Sequence, residues 1–194
     1  MTLPVKGRYL LPALACLAVL WLLPLDRWLP LFPVHMLRHM GLVAVAAPLL
    51  VLGLPGLARR MAIPPLLAAA LEFVVVWAWH LPAAHATGRN SLTGFVTEQG
   101  SFLLAGLLVW AGCLAAAQPL AGAGGLLLTS MHMTLLGALL ILAPRDLYFE
   151  LCGTAPDLTG QQLGGMLMLG IGTPVYLLAG VALTARALKT EVRA

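Results

Sequence analysis

The chain is built from apolar runs long enough to cross a bilayer, and they are broken mainly at prolines. A hydrocarbon core needs about 20 mostly apolar residues per helix. Six segments meet that length, over 9–25, 32–54, 63–81, 92–118, 124–143 and 162–188. Between them stand Pro24, Pro30 and Pro33, then Pro55-Gly56, Pro82, Pro119, Pro144 and Pro156. Each is a helix stop or start, because proline lacks an N–H and restricts the residue before it. Open strands cannot span lipid, since their backbone groups would go unpaired, and the alternation of a membrane barrel is absent. The expected fold is therefore all-α: a polytopic bundle of six transmembrane helices forming one domain over 1–194. The longest connection, from Pro144 to Gln161, is too short to hold another domain.

Composition supports this reading and removes several function classes. Only 9% of the residues are charged and 61% are hydrophobic, against about 25% charged in a soluble domain. Such a chain can cover a lipid-facing surface but not a water-facing one. The basic residues are scattered singly or in pairs at helix ends, so no stripe forms that could follow a phosphate backbone, and nucleic acid is not an expected partner. The N-terminal run from Tyr9 to Leu25 is long for a signal-peptide core and is followed by no clear cleavage site, so it is expected to remain as the first helix. Cys16 and Cys113 sit inside apolar runs and read as small hydrophobes. Cys152 stands alone in a loop, and its role stays open. No serine, cysteine or carboxylate nucleophile stands beside a base at a convincing spacing, so an enzyme is not expected.

The positive-inside rule sets an expected orientation. With the N-terminus in the cytoplasm, the inner side holds Lys6, Arg8, Arg59, Arg60, Arg186, Lys189 and Arg193, and the outer side Arg27, Arg89 and Arg145, with Arg38 just inside a helix end. Both termini are then cytoplasmic. Trp28, Trp77 and Trp79 suit the outer interface belt. Gly160, Gly164, Gly165, Gly170 and Gly172 give the last helix a small-residue face suited to close packing.

This orientation turns scattered polar residues into a pattern. His35 and His39 lie at the outer end of helix two, a turn apart on one face. His80 closes helix three and His85 follows in the outer loop. His132 lies deeper, about 16 Å below Pro144 at 1.5 Å per residue. Polar groups in a membrane are costly and usually face a bundle or a cavity, so His35, His39, His80 and His132 are the candidate metal ligands. Met36, Met40, Met131 and Met133 sit beside these histidines, and thioether with imidazole suits copper(I). Equally, methionine is a common apolar filler. Glu98, about a turn inside helix four, is a further candidate ligand. Glu72, mid-helix, and Asp157, Gln161 and Gln162, leading into helix six, are candidate supporting groups or proton relays. Histidines on different helices can also be axial ligands of haem, with His39 and His132 as the pair, or can line a metal permease.

Several blocks carry a resemblance. "FPVHMLRHMGLVAVAAPLLVLGLP" (Phe32–Pro55), "WAWHLPAAH" (Trp77–His85), "TEQGSFLLAGLLVW" (Thr97–Trp110), "MHMTLLGALLILAPRDLY" (Met131–Tyr148) and "GQQLGGMLM" (Gly160–Met168) resemble, in order, the blocks of the CtaG family of cytochrome c oxidase assembly factors, the polytopic type associated with caa-type oxidases. The chain departs from that pattern in places. Arg38 stands between the paired histidines where the family usually has an uncharged polar residue, and Gln99 follows Glu98 where the family often has a histidine. The resemblance implies maturation of a haem–copper oxidase in the bacterial cytoplasmic membrane. It also implies an oxidase subunit as client and copper, bound towards the outer face, as cargo.

Overall fold

The computed structural model describes residues 4–191, and among them every regular element is helical. Arg193, counted above towards the inner charge, lies outside the described residues. Helix α1 spans Gly7–Leu22, followed by a single 3-10 turn at Leu25–Arg27. The remaining helices are α2 (Leu31–Gly53), α3 (Pro55–Met61), α4 (Pro65–Trp79), α5 (Pro82–Asn90), α6 (Leu92–Ala115), α7 (Pro119–Leu142), the one-turn α8 (Phe149–Cys152) and α9 (Leu158–Lys189). Pro55, Pro65, Pro82 and Pro119 each open a helix, where the missing N–H costs nothing.

Four of these helices, α2, α6, α7 and α9, are long and apolar enough to cross a membrane. Helices α3 and α4 meet at 86° around the Ala62–Pro64 break and together make a fifth crossing if counted as one span. Helix α1 has only 16 residues. The protein is thus an all-helical, multi-pass bundle. Its third apolar segment starts at Pro65 rather than at 63, because two consecutive prolines force the chain to turn before the helix can begin. Its last helix starts four residues before 162, at Leu158, because Asp157 caps it by accepting from the Gly160 N–H.

The bundle is held by close approaches at small residues. A Cβ on Gly106 would stand 3.0 Å from Ala47 Cβ and Val43 Cα, so α6 and α2 touch nearly backbone to backbone. Gly137 of α7 and Gly165 of α9 face one another in the same way: a Cβ on Gly165 would stand 2.7 Å from the Gly137 carbonyl oxygen. The small-residue face of α9 also receives side chains. Phe32 and Met36 pack on Gly164, and the Met40 sulfur lies against Gly172, whereas Gly170 faces open space.

Helix α2 carries a π turn at Gly41–Ala46, directly after His39, and α9 another at Met168–Gly172. A π turn widens the backbone ladder and marks functional segments. Here the Val43 carbonyl accepts from Trp110 Nε1 at 2.8 Å and from the Tyr176 hydroxyl at 3.3 Å. Three long helices are thereby tied together at one backbone atom in the core.

The ends of the bundle are sorted. Lys6 N–H donates to the Gly53 carbonyl, so the start of α1 lies beside the end of α2. At the other end, Arg38 donates through Nε to the Leu20 carbonyl at 3.1 Å and through Nη1 and Nη2 to Asp26 at 3.3 and 3.0 Å. The basic residue between the paired histidines is therefore a strut that fixes the α1–α2 corner.

Candidate metal centre

The histidines of α2 owe their placement to periodicity. His35 and His39 follow one another up one face of the helix, and both are buried. The intervening methionines face elsewhere. Met36 and Met40 point about 100° around the helix from His35 and His39 and are consumed in packing on α9. Met133 is fully buried, while Met131 is 60% exposed and faces away from the bundle interior. Among the methionines offered by the sequence as candidate ligands, Met131 is thus placed on the outer surface.

His80 sits at the C-cap of α4, where its Nδ1 lies 2.7 Å from the Val76 carbonyl. A carbonyl can only accept, so Nδ1 carries the proton and Nε2 holds the lone pair. That is the usual way a protein fixes the tautomer of a ligating imidazole. His85 is the residue that sequence reasoning left in a loop. Pro82 starts a new helix that turns α5 back over the bundle and sinks His85 to 6% exposure. The signal was Pro82 in the first turn of a helix, three residues before an imidazole. Burial, reinforced by His35, His80 and Arg89, pushes the pKa of His85 down to about 2, so its ring is neutral and one nitrogen has a free lone pair.

The rings converge. His35 lies 4.5 Å from His85, 5.3 Å from His80 and 6.4 Å from His39, and His39 lies 5.2 Å from His80, all between ring centres. With metal–nitrogen bonds of about 2.0 Å, and nitrogen about 1.1 Å from the ring centre, two imidazoles on one tetrahedral ion have centres about 5 Å apart. His80 thus stands at a ligand-sharing distance from both histidines of α2. Phe102 stacks on His39 at 4.2 Å and closes the inner side.

Glu98 completes the outer part. Its Oε1 is 3.5 Å from His35 Nδ1, and donor atoms of His35, His85 and Glu98 all lie within 4.8 Å of one another. Gln99 holds the carboxylate by donating from Nε2 to Oε2 at 3.1 Å, and in turn accepts from Trp21 Nε1 at 3.3 Å. The glutamine found where the family often has a histidine is therefore a clamp on the neighbouring carboxylate. Gly88 of α5 makes room: a Cβ there would stand 2.7 Å from Glu98 Oε1.

Several donor atoms of this cluster have no hydrogen-bond partner among the described residues: His35 Nε2, both nitrogens of His39, His80 Nε2, His85 Nδ1 and Glu98 Oε1. Leaving one buried polar group unpaired costs about 1–3 kcal/mol, and six such atoms stand together here, at most five of them with a lone pair free because one His39 nitrogen carries a proton. A cleft of about 350 Å³, lined by Asp26, His35, Arg38, His85, Arg89 and Glu98 among others, leads to it. A second, of about 300 Å³, reaches His85 from the side of Tyr148, Cys152 and Asp157.

The remaining candidates lie apart from the ring cluster. Gln161 Nε2 donates to the Leu140 carbonyl while its Oε1 accepts from Leu147 N–H, and Gln162 Nε2 donates to the Ile141 carbonyl. Together with the cap at Asp157, these residues satisfy the end of α7 and the start of α9. His132 is deeper, edge-on to Phe73 at 5.3 Å, with its Nε2 3.9 Å from Glu72 Oε2. Glu72 Oε1 accepts from the Tyr176 hydroxyl at 3.1 Å.

No curated protein and no solved structure matches the chain. The family profile described as cytochrome c oxidase caa3 assembly factor (Caa3_CtaG) matches residues 8–190, nearly the whole bundle with every side chain of the cluster inside it, so the chain belongs to the cytochrome c oxidase caa3 assembly factor family.

Proposed function

We propose that this membrane protein assists oxidase assembly by binding copper in the histidine cluster and handing it to an oxidase subunit. The observation that carries this reading is the convergence of unpaired, buried imidazole nitrogens from α2, α4 and α5 on one another and on Glu98. Neutral imidazole is a good copper ligand, and one buried carboxylate balances the charge of a monovalent ion. His35, His39 and His80 form the body of the site, and His85 and Glu98 form its mouth. Transfer is then ligand exchange at the mouth, where His85 and Glu98 can release the ion to client donors entering the open cleft. With six spans and both termini cytoplasmic, the cluster lies towards the outer face of the bacterial cytoplasmic membrane. A copper centre in a client membrane subunit would be approached from that side.

Haem is a poorer fit. A bis-histidine haem needs its macrocycle against two facing rings, but His39, one of the candidate axial pair, already has Phe102 stacked on it at 4.2 Å and His80 beside it at 5.2 Å. The test is metal analysis with a visible spectrum on detergent-purified wild type, His39→Ala and Glu98→Gln, after expression with copper and haem supplied. Copper in the wild type that falls in both variants, without a Soret band, supports the reading. Equal copper in all three refutes it, and a Soret band lost in His39→Ala replaces it with a haem protein.

A further inference from the structure

Below the cluster lies a second set of buried polar atoms that the outer cage does not use. Glu72 of α4, Thr129 and His132 of α7, and Tyr176 of α9 come together in the core, and their exposures run from 0% to 5%. Thr129 and His132 are spaced i, i+3 and so share a face of α7. The Thr129 hydroxyl faces the Glu72 carboxylate, and both nitrogens of His132 have no hydrogen-bond partner among the described residues. The 3.9 Å between His132 Nε2 and Glu72 Oε2 is too long for a hydrogen bond. Two ligands with bonds of about 2.1 Å to one ion stand about 3.4 Å apart at the tetrahedral angle and about 4.2 Å apart when collinear. The observed gap falls between these values.

We infer that Glu72 and His132, with Thr129 Oγ1 in reach, form a second cation position, so that the bundle holds metal in two layers. The inference rests on the copper reading of the outer cage and assigns His132 to a different ion from the one held by His35 and His80. Charge supports the division. Among the described residues, Glu98 and Glu72 are the two buried carboxylates, and each layer has one. An ionised carboxylate in a membrane interior needs a balancing charge, and an ion beside each would supply it. Orientation supports it too. The Tyr176 hydroxyl engages Oε1 and turns Oε2 towards His132, as a supporting hydrogen bond orients a ligating carboxylate. Glu72 lies two turns before His80 on α4, about 12 Å along the helix from the outer layer.

The experiment is anaerobic equilibrium dialysis of the detergent-purified full chain against copper(I), with copper per chain measured for wild type, Glu72→Gln, His132→Asn, Glu98→Gln and His35→Ala. Near-UV circular dichroism checks that each variant keeps its packing, and Glu72→Gln retains an oxygen for the Tyr176 hydroxyl. The expected result is two copper ions in the wild type and one in each single variant. The combination of Glu72→Gln with His35→Ala should bind none. A wild type that binds one ion, kept in Glu72→Gln and His132→Asn but lost in His35→Ala, overturns the second position while leaving the outer site standing. One ion lost in all variants overturns the two-layer division. No bound copper at all overturns both readings together.

Discussion

A single methyl group at Gly88 separates the stability of this fold from the performance of its site. A Cβ on Gly88 would stand 2.7 Å from Glu98 Oε1 and 3.1 Å from Cδ. Relaxing these contacts to about 3.4 Å or more displaces the carboxylate by roughly 0.5–1 Å. The displaced atoms are the far end of a flexible side chain, so the backbone need not move, and alanine is favoured over glycine within a helix by up to about 1 kcal/mol. Gly88→Ala should therefore leave the thermal unfolding midpoint unchanged or slightly higher. The metal site has no such slack. Glu98 is clamped by Gln99 on one oxygen and faces His35 with the other, and errors in supporting geometry typically cost about 10–100-fold in metal affinity. The expected loss is thus about 1.4–2.7 kcal/mol of binding, at 1.4 kcal/mol per factor of ten. The control is Gly100→Ala, where nothing lies within 4 Å of the added Cβ. Competition against a colorimetric copper(I) chelator reads the affinity, and differential scanning fluorimetry in detergent reads the stability. Wild-type affinity in Gly88→Ala would refute Glu98 as a ligand. A collapse in stability would refute the claim that only its tip is in the way.

Other outcomes follow from the same geometry. Tyr176→Phe removes the donor to Glu72 Oε1 and Val43 O and should cost about 1–3 kcal/mol of stability, while Trp110, still donating to Val43, keeps the π turn in place; thermal unfolding in detergent measures it. Arg38→Gln breaks both the exposed two-pronged bond to Asp26 and the Nε bond to the Leu20 carbonyl, so the loss should be about 1–3 kcal/mol in the same assay. Gly165→Leu drives a side chain into the Gly137 carbonyl, and size-exclusion chromatography should show little monodisperse protein. Because burial holds the His85 pKa below its usual value, the unfolded chain binds the extra proton as pH falls below about 6.5. Metal-free wild type should therefore lose stability between pH 7 and pH 5 more steeply than His85→Gln. Parallel slopes would show that His85 is not held neutral.

The sequence carried the apolar segmentation because bilayer thickness fixes the length of a crossing, and prolines mark where helices begin. It did not carry the bend between α3 and α4, because Pro64-Pro65 announces a turn without giving its angle. The i, i+4 relation of His35 and His39 was readable from helix geometry alone. The same geometry places Met36 and Met40 off that face, yet their packing on Gly164 and Gly172 depends on α9 lying alongside α2, which no local pattern records. Asp157, Gln161 and Gln162 resembled relay groups because polar residues near a membrane helix invite that reading. The partners of the two glutamines, the last carbonyls of α7, become visible only once the α7–α9 corner is formed, while Asp157 caps α9 through the Gly160 N–H.

The same limit explains the division of the histidines. Seen along the chain, His132 is the deeper histidine, yet it is counted with the outer ones as a single ligand set. The structure adds the lateral placement to that depth: α7 presents it to Glu72 of α4, sixty residues earlier, while α5 folds His85 over His35. One-dimensional depth thus groups the histidines without giving their neighbours, because depth orders groups along the membrane normal and neighbours are set within the plane. The glycines are the one sequence feature that bears on that plane. Gly88, Gly106, Gly137 and Gly165 are each required where another helix or a ligand side chain comes within contact of the backbone. A substitution series at those four positions, scored for copper retained per folded chain, separates the glycine that shapes the site from those that shape the bundle. Alanine at Gly88 should lower copper alone, whereas bulky residues at the other three should lower the yield of folded protein first.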